Sequence, residues 1–312
     1  MPSKSEKYSE SKFLKNDPIP YLERIKTYYL ALGYGEPYSW SYFEDVPFTP
    51  LKKSLSESKV TLITTAAPYQ LDKGDQGPGA PYNALAKFYK VYGIDSSIDP
   101  DLRISHLAID RQHTTAQDQE SYFPFRAIRE SKNNGRIAEL PTHFYGLPTN
   151  RSQRVTSEVD CPDLLKRCLV DCVDVAILIP NCPVCHQSVS LAARLLEANG
   201  ISTVIMGCAK DIVEFIGVPR LLFSDFPLGN GAGRPDDRLS QEHTLELAFC
   251  LLESATEPRT TSLSTLTWST TNDWKLDYSN IDQLSQEEIS KRRAEFDKAK
   301  IQAKNIRDSS IT

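Results

Sequence analysis

The chain is predicted to fold as an α/β protein on an open, mostly parallel sheet with helices on both faces, flanked by an N-terminal helix and a C-terminal helical tail. Three features of its 312 residues lead there. Between residues 158 and 255, short apolar runs alternate with segments of helical period, which implies parallel strands joined by covering helices. An earlier run, VTLITTA (60–66), is rich in β-branched residues and opens into a long Gly/Pro-rich loop. A hydrophobic content of 40% with 25% charged residues is that of a globular protein with a real core.

Residues 1–17 are polar and expected to be mobile. Ile19, Leu22, Ile25, Tyr28, Tyr29 and Leu32 then recur at helical spacing up to Gly33, a helix terminator. After the strand at 60–66 comes the apolar run ISHLAI (104–109), read as a second strand that leads into DRQHTTAQDQE. A helix over 125–133 closes near Gly135 and precedes the aromatic run HFY (143–145). The second half reads as a helix from about Asp160 with Pro162 in its first turn, then a strand over 173–179. A helix closed by Gly200 follows, then a strand over 201–206, a helix near 212–216, a strand over 220–223 and a helix from about 241 to 253. Beyond residue 257 the chain is Ser/Thr-rich and ends in a charged helix, with Ser285 and Glu288 as a capping box and a thin stripe of Ile289, Phe296, Ala299, Ala303 and Ile306. That stripe is expected to dock on the domain or on a second copy of the chain, as in a homo-oligomer. The divisions are an N-terminal arm and helix (1–57), an α/β domain (58–255) with two similar halves (58–150 and 158–255), and a linker with the C-terminal helix (256–312).

A net charge of −5 offers no field for a polyphosphate backbone, which disfavours nucleic acid as a partner. No stretch has the apolar length of a membrane span, and the N-terminal residues lack the apolar centre of a secretory signal, so the expectation is a cytoplasmic protein without membrane contact. Five of the seven cysteines fall between Cys161 and Cys185, unlike a spaced disulfide framework.

The turn IPNCPVCHQ (179–187) lies where a buried strand passes into a helix, at the carboxyl edge where open parallel sheets collect ligands. Unpaired N–H groups and the positive end of that helix favour a thiolate at Cys182, which is expected to be accessible and ionised. Cys185, one turn on, can close a disulfide with it, giving a nucleophile and a resolving thiol. The spelling Cys182-Pro183-Val184-Cys185-His186 also matches covalent haem attachment, which export and a distal ligand would have to accompany; neither is supported by the N-terminus or by only two methionines. Zinc is the stronger rival: Cys182, Cys185 and His186 would supply three ligands, with no second C-x-x-C or H-x-x-x-H to complete a structural site. Two inert packed thiols are the remaining alternative. Cys168, Cys172 and Cys208 read as small core residues, Asp171 and Asp174 as solvated, and Trp268 and Trp274 as docking anchors. The run GNGAGRP (229–235) lacks dinucleotide-cradle spacing and reads as a mobile loop beside the site.

Several stretches, in order, resemble the selenoprotein B component of the glycine, sarcosine and betaine reductases and its D-proline reductase relative. They are VTLITTAAP (60–68), SHLAIDRQHTTAQDQESYFPFRAIRE (105–130), GRIAELPTHFYGL (135–147), VDVAILIPNCPVC (173–185), ANGISTVIM (198–206) and FPLGN (226–230). In that family the turn after the strand is similar to U-x-x-C, with U selenocysteine, so the resemblance puts Cys182 on the U position and Cys185 on the cysteine. It implies that the first position attacks an activated substrate carbon and displaces an amine, and that a second thiol releases the chalcogen-bound product. This chain carries sulfur where the family carries selenium, shows no segment like the proprotein that supplies a pyruvoyl group, and has His186 directly after the pair.

The expected function is therefore a thiol-dependent oxidoreductase, or a subunit of one, acting on a small amino-acid-like substrate with Cys182 as nucleophile and Cys185 as resolving thiol. A thiol electron donor or a second enzyme subunit would be its partner; a redox-active disulfide is the expected redox group, with zinc as the alternative cofactor. A metal site and a non-catalytic sulfur carrier stand as the alternatives. Supporting groups are Thr64 and Thr65 at the end of the first strand and His106, Asp110, Arg111 and His113 around the second, with His186 beside the pair. His113 is expected to protonate a leaving group, and Arg111 to anchor a carboxylate through its bidentate fork.

Overall fold

The structure, a computed structural model, describes residues 16–310. The polar residues 1–15 lie outside the described residues, as do the side chains of Ala299, Ala303 and Ile306 from the tail stripe. In chain order the elements are α1 (Tyr21–Ala31), β1 (Val60–Thr64), β2 (Ala67–Pro68), β3 (Tyr92–Asp95), β4 (Leu102–Arg103), α2 (Phe125–Asn133) and β5 (His143–Gly146). Next, α3 (Gln153–Val155) widens through a π turn at Thr156–Asp160 into α4 (Cys161–Val170). Then follow β6 (Val175–Ile179), α5 (Pro183–Ala198), β7 (Ser202–Gly207), α6 (Lys210–Ile216), β8 (Arg220–Phe223), α7 (Arg238–Ser254), β9 (Thr260–Leu263) and α8 (Gln286–Ser310).

Seven strands form one sheet in the order β3-β5-β1-β6-β7-β8-β9. All neighbours run parallel except β3, which pairs antiparallel with β5. The fold class read from the sequence is the one found. β1, β6 and β7 are buried along their whole length, which is why they read as continuous apolar runs instead of alternating ones. One face carries α1, α2 and α7 over Leu62, Ile177 and Val204; the other carries α4 and α5 over Ile63, Leu178 and Ile205, and α6 contributes to both. Because β5 and β6 flank β1, the connection from β1 to β5 and that from β6 to β7 run in opposite directions along the sheet, which opens a crevice at the carboxyl ends of β1 and β6.

Several expectations change in three dimensions. Residues 104–109 are not a strand of the sheet: only Leu102–Arg103 pairs, antiparallel with Ala67–Pro68, and the rest folds as a loop over the carboxyl edge. The run 229–233 is buried, not mobile. A Cβ on Gly231 would stand 2.7 Å from the Met206 carbonyl oxygen, and Thr114 Oγ1 donates to Leu228 O at 2.8 Å. Cys168 and Cys208 are core residues as expected, but Cys172 is exposed at positive φ. Asp171 accepts hydrogen bonds from Tyr145 Oη (2.6 Å) and His143 N (3.2 Å). Trp274 is buried in the core, and Trp268 packs on Phe226.

A buried ion pair secures the far side of the sheet. Arg220 Nη1 donates to Glu197 Oε1 at 2.8 Å with both side chains fully buried. Its guanidinium lies 4.2 Å from the Phe48 ring and donates to Thr49 O, which ties the segment after α1 to β8.

Candidate active site

Three adjacent strand ends build the floor of the site. β5 leads to Thr149, β1 ends in Thr64 and leads to Thr65, and β6 leads to Asn181 and Cys182. Thr65 Oγ1 accepts from Asn181 N at 3.1 Å and Thr64 Oγ1 from Ala66 N at 3.1 Å. Both threonines are fully buried, so these hydroxyls fix the backbone of the crevice.

Cys182 is the N-cap of α5, with Pro183 in its first turn, where the missing N–H of proline costs nothing. Its Sγ accepts from the Cys185 N–H at 3.2 Å, the place usually taken by a serine or aspartate oxygen. The two cysteines form a disulfide with their Cα atoms 4.9 Å apart. The expected proximity holds, but the expected accessibility does not: Cys182 is 4% exposed and Cys185 0%.

His186 points away from the sulfurs. Its Nδ1 bonds Cys182 O at 2.8 Å, and its Nε2 accepts from the N–H groups of Cys208 (3.0 Å) and Ala209 (3.1 Å). These partners require the tautomer protonated at Nδ1. Burial pushes its pKa down to about 4, opposed by the bond to Cys182. Both ring nitrogens are thereby engaged, so His186 clasps the turn and has no lone pair left for a metal.

The histidine that does meet the pair is His106, from the loop above. A ring nitrogen of His106 and the two sulfurs lie within 4.8 Å of one another. Thr149 joins them: its Oγ1 is 3.5 Å from His106 Nε2 and donates to Cys185 Sγ at 3.3 Å. With the cysteines reduced, Cys182, Cys185 and His106 would present a metal with two sulfur donors and one nitrogen. Burial pushes the His106 imidazole down to about 3, reinforced by the charges of Lys87 and Arg111.

Arg111, expected to anchor a carboxylate, directs donors at the carbonyls of Ala80 (2.9 Å), Leu107 (2.5 Å) and His106, and so holds the loop that carries His106. Asp110 Oδ1 accepts from Gln112 N and His113 N, and burial pushes its carboxyl up. His113, expected to protonate a leaving group, has Nε2 2.8 Å from Asp277 Oδ2 in the C-terminal segment. The same segment places Tyr278 Oη on Ala108 O, strapping the loop down. A cavity of about 630 Å3 opens beside the first turn of α5; Pro183, Val184, Asp110, Arg111, Tyr82 and Tyr278 are among its walls.

Thr149 and Asn181 escape a reading of the sequence alone. Asn181 is fully buried, and neither its Oδ1 nor its Nδ2 has a partner among the described residues. Its place directly before Cys182 was the available signal. Thr149 gave none, because its meeting with Cys185 depends on the neighbouring strands β5, β1 and β6.

The chain is 27% identical to the D-proline reductase subunit gamma of Acetoanaerobium sticklandii over 61% of its own length and 76% of that protein. It is 24% identical to the glycine reductase complex component B subunit gamma of Symbiobacterium thermophilum, over 72% of this chain and 53% of the relative. It is also 24% identical to the sarcosine reductase complex component B subunit beta of Peptoclostridium acidaminophilum, over 67% and 49%. The chain thus spans about half the length of the latter two. No protein-family profile and no solved structure matches it. No helix among the described residues is long and apolar enough to cross a membrane. The chain is a relative, at modest identity over most of its length, of subunits of the D-proline, glycine and sarcosine reductases, the family that its sequence resembles.

Proposed function

We propose that the protein is a subunit of an amino-acid reductase complex in which Cys182 is the nucleophile and Cys185 the resolving thiol. The observation that carries this reading is the Cys182–Cys185 pair itself, within disulfide distance at a helix N-cap on the carboxyl edge of the sheet. In the reaction, the Cys182 thiolate attacks the α-carbon of a small amino acid, forming an S–C bond as the C–N bond breaks and the amine leaves with the electron pair. Cys185 then attacks Cys182 Sγ, the S–C pair passes to carbon, which takes up a proton, and the disulfide forms. Two electrons and two protons thus move from the dithiol to the substrate, and an external dithiol restores the pair. The attacked carbon needs electrophilic activation, which a second subunit would supply. The burial of both sulfurs agrees with a chain that works only when a partner or substrate has displaced the loop over them.

The test is adduct trapping. Reduced Cys185→Ser protein is incubated with glycine, sarcosine or D-proline in an extract of the source cells, and the Cys182 peptide is weighed by mass spectrometry. The expected result is an adduct on Cys182 that the wild-type chain releases. Absence of any adduct, with Cys182 also inert to iodoacetamide in the reduced protein, would refute the nucleophilic role.

A second reading, a metal held by Cys182, Cys185 and His106, draws on their mutual approach within 4.8 Å. A stoichiometric metal in protein purified under reducing conditions, lost in Cys182→Ser, would favour it.

A further inference from the structure

The two sulfurs of the pair sit in different surroundings, and that difference assigns a role to two side chains that the reaction above does not use. Cys182 Sγ receives the backbone N–H at the start of α5. Cys185 Sγ, the more deeply buried, receives the hydroxyl of Thr149, which is itself within reach of His106 Nε2. We propose that His106 and Thr149 form a hydrogen-bond chain, Nε2–H to Oγ1–H to Sγ, that stabilises Cys185 as the departing sulfur when the disulfide is reduced. This deepens the reading of the pair as a redox couple and rests on it.

The chemistry follows from access and polarity. The incoming thiolate of a dithiol reaches Cys182 first, since Cys182 keeps 4% exposure next to Pro183 in the cavity wall, whereas Cys185 is fully buried. A new S–S bond forms on Cys182, the old one breaks, and its electron pair settles on Cys185 Sγ. The second thiol of the reductant then displaces Cys182, becoming oxidised to a disulfide, and its protons leave both cysteines reduced. Charge therefore develops first on a sulfur cut off from water, where a hydrogen bond to a charged acceptor counts most. A hydroxyl that donates to sulfur has its lone pairs free for the imidazole N–H, so the chain is consistent in its donors and acceptors. In the tautomer protonated at Nε2 the unpartnered Nδ1 is a bare acceptor instead of an orphaned N–H, the rarer and costlier case. Arg111 fixes the backbone of His106 and Leu107, which holds the ring above Thr149.

The experiment uses the oxidised full-length chain and dithiothreitol, with free thiols read by mass spectrometry. Thr149→Val keeps the shape and removes the donor; reduction should slow about tenfold, the effect of losing one hydrogen bond to a sulfur gaining charge. Thr149→Ser should restore the wild-type rate, which a purely structural role would not predict. His106→Leu should slow reduction about threefold, since it acts one bond further away. Should Thr149→Val not fold, Thr149→Ala carries the same expectation. Reduction of the Val (or Ala) variant within about twofold of wild type, or a trapped mixed disulfide on Cys185 in place of Cys182, would overturn the proposal. The outcome is separate from that of adduct trapping: exchange that depends on Thr149 without any substrate adduct keeps the hydrogen-bond chain and loses the reductase, and the converse result does the reverse.

Discussion

Replacing His186 by glutamine should make the stability of this protein less sensitive to acid. The imidazole is fully buried, donates to Cys182 O and accepts at Nε2 from two backbone N–H groups, and those two acceptances are possible only in its neutral form. Its pKa is pushed from 6.5 down to about 4 by burial. Because the unfolded chain takes up the proton more readily than the folded one, this group's contribution is fully present above pH 6.5 and is lost as pH falls toward 4. From those two values the loss is about 2 kcal/mol by pH 5 and about 3 kcal/mol by pH 4. Glutamine keeps an acceptor for Cys208 and Ala209 but cannot titrate, and it gives up the bond to Cys182 at a cost of about 2 kcal/mol including repacking. Wild type should therefore exceed His186→Gln by about 2 kcal/mol at pH 7.5, and the gap should close to about zero at pH 5. Urea unfolding of both proteins at the two pH values measures it, and comparing the pair removes every other titrating group. A gap that stays constant between pH 7.5 and pH 5 would show that His186 is not held neutral by the fold.

Three further outcomes follow from the packing. Arg220→Met strands Glu197 as a buried, unpaired acid and should cost about 3–5 kcal/mol in urea unfolding, much of it recovered in the double variant Arg220→Met/Glu197→Leu. Gly231→Ala drives a Cβ to within 2.7 Å of Met206 O, so it should lower stability by about 2 kcal/mol in a thermal melt, whereas alanine at Gly135, with nothing within 4 Å, bears only the strain of its positive φ, about 1 kcal/mol. Asp277→Asn weakens the half-exposed contact to His113 and should change global stability by under about 1 kcal/mol, yet speed amide exchange in residues 106–116, read by hydrogen–deuterium mass spectrometry.

Local patterns make most of the sheet legible. α2 is readable at its observed bounds because a single apolar face, Phe125 and Ile128 with Ala127, is set off by charges. β8 is likewise readable at Arg220–Phe223, even though its arginine is buried in the ion pair. β9 is hidden in a Ser/Thr-rich stretch because it is an edge strand with little burial, and hydrophobic pattern says little about such strands. β3, with its glycine and aspartate, is hidden for the same reason. In the site, Cys182 and Cys185 are visible because helix geometry alone sets their spacing. The part of His106 is not: it stands 76 residues before Cys182 in sequence, and only the folding of 104–116 over the sheet brings the two together. The same run mimics a strand because Ile104 and Ile109 are apolar for a different reason, to seal the loop onto the carboxyl edge, while Leu107 is exposed; Ile109 meets the turn at Gly229.

That seal bears on how the pair would be used. Six of the nine buried side-chain polar atoms without a partner among the described residues belong to His106, Asp110, Asn181, Ser224 and Asn230, all at or just beyond the carboxyl ends of the strands or in the loops over them. Elsewhere the fold satisfies nearly all of its buried polar groups, as folded proteins do, each failure costing about 1–3 kcal/mol. A polar ligand or ordered water seated at this edge would supply these groups with partners. The roof over this edge is held at its rim by Arg111 on three carbonyls and by the Asp277 and Tyr278 strap, contacts that lie apart from the sulfurs. A substrate that satisfied the stranded groups while the strap loosened would exchange one set of bonds for another at small net cost, and Cys182, 4% exposed in the closed form, would then be reached without unfolding the sheet beneath it.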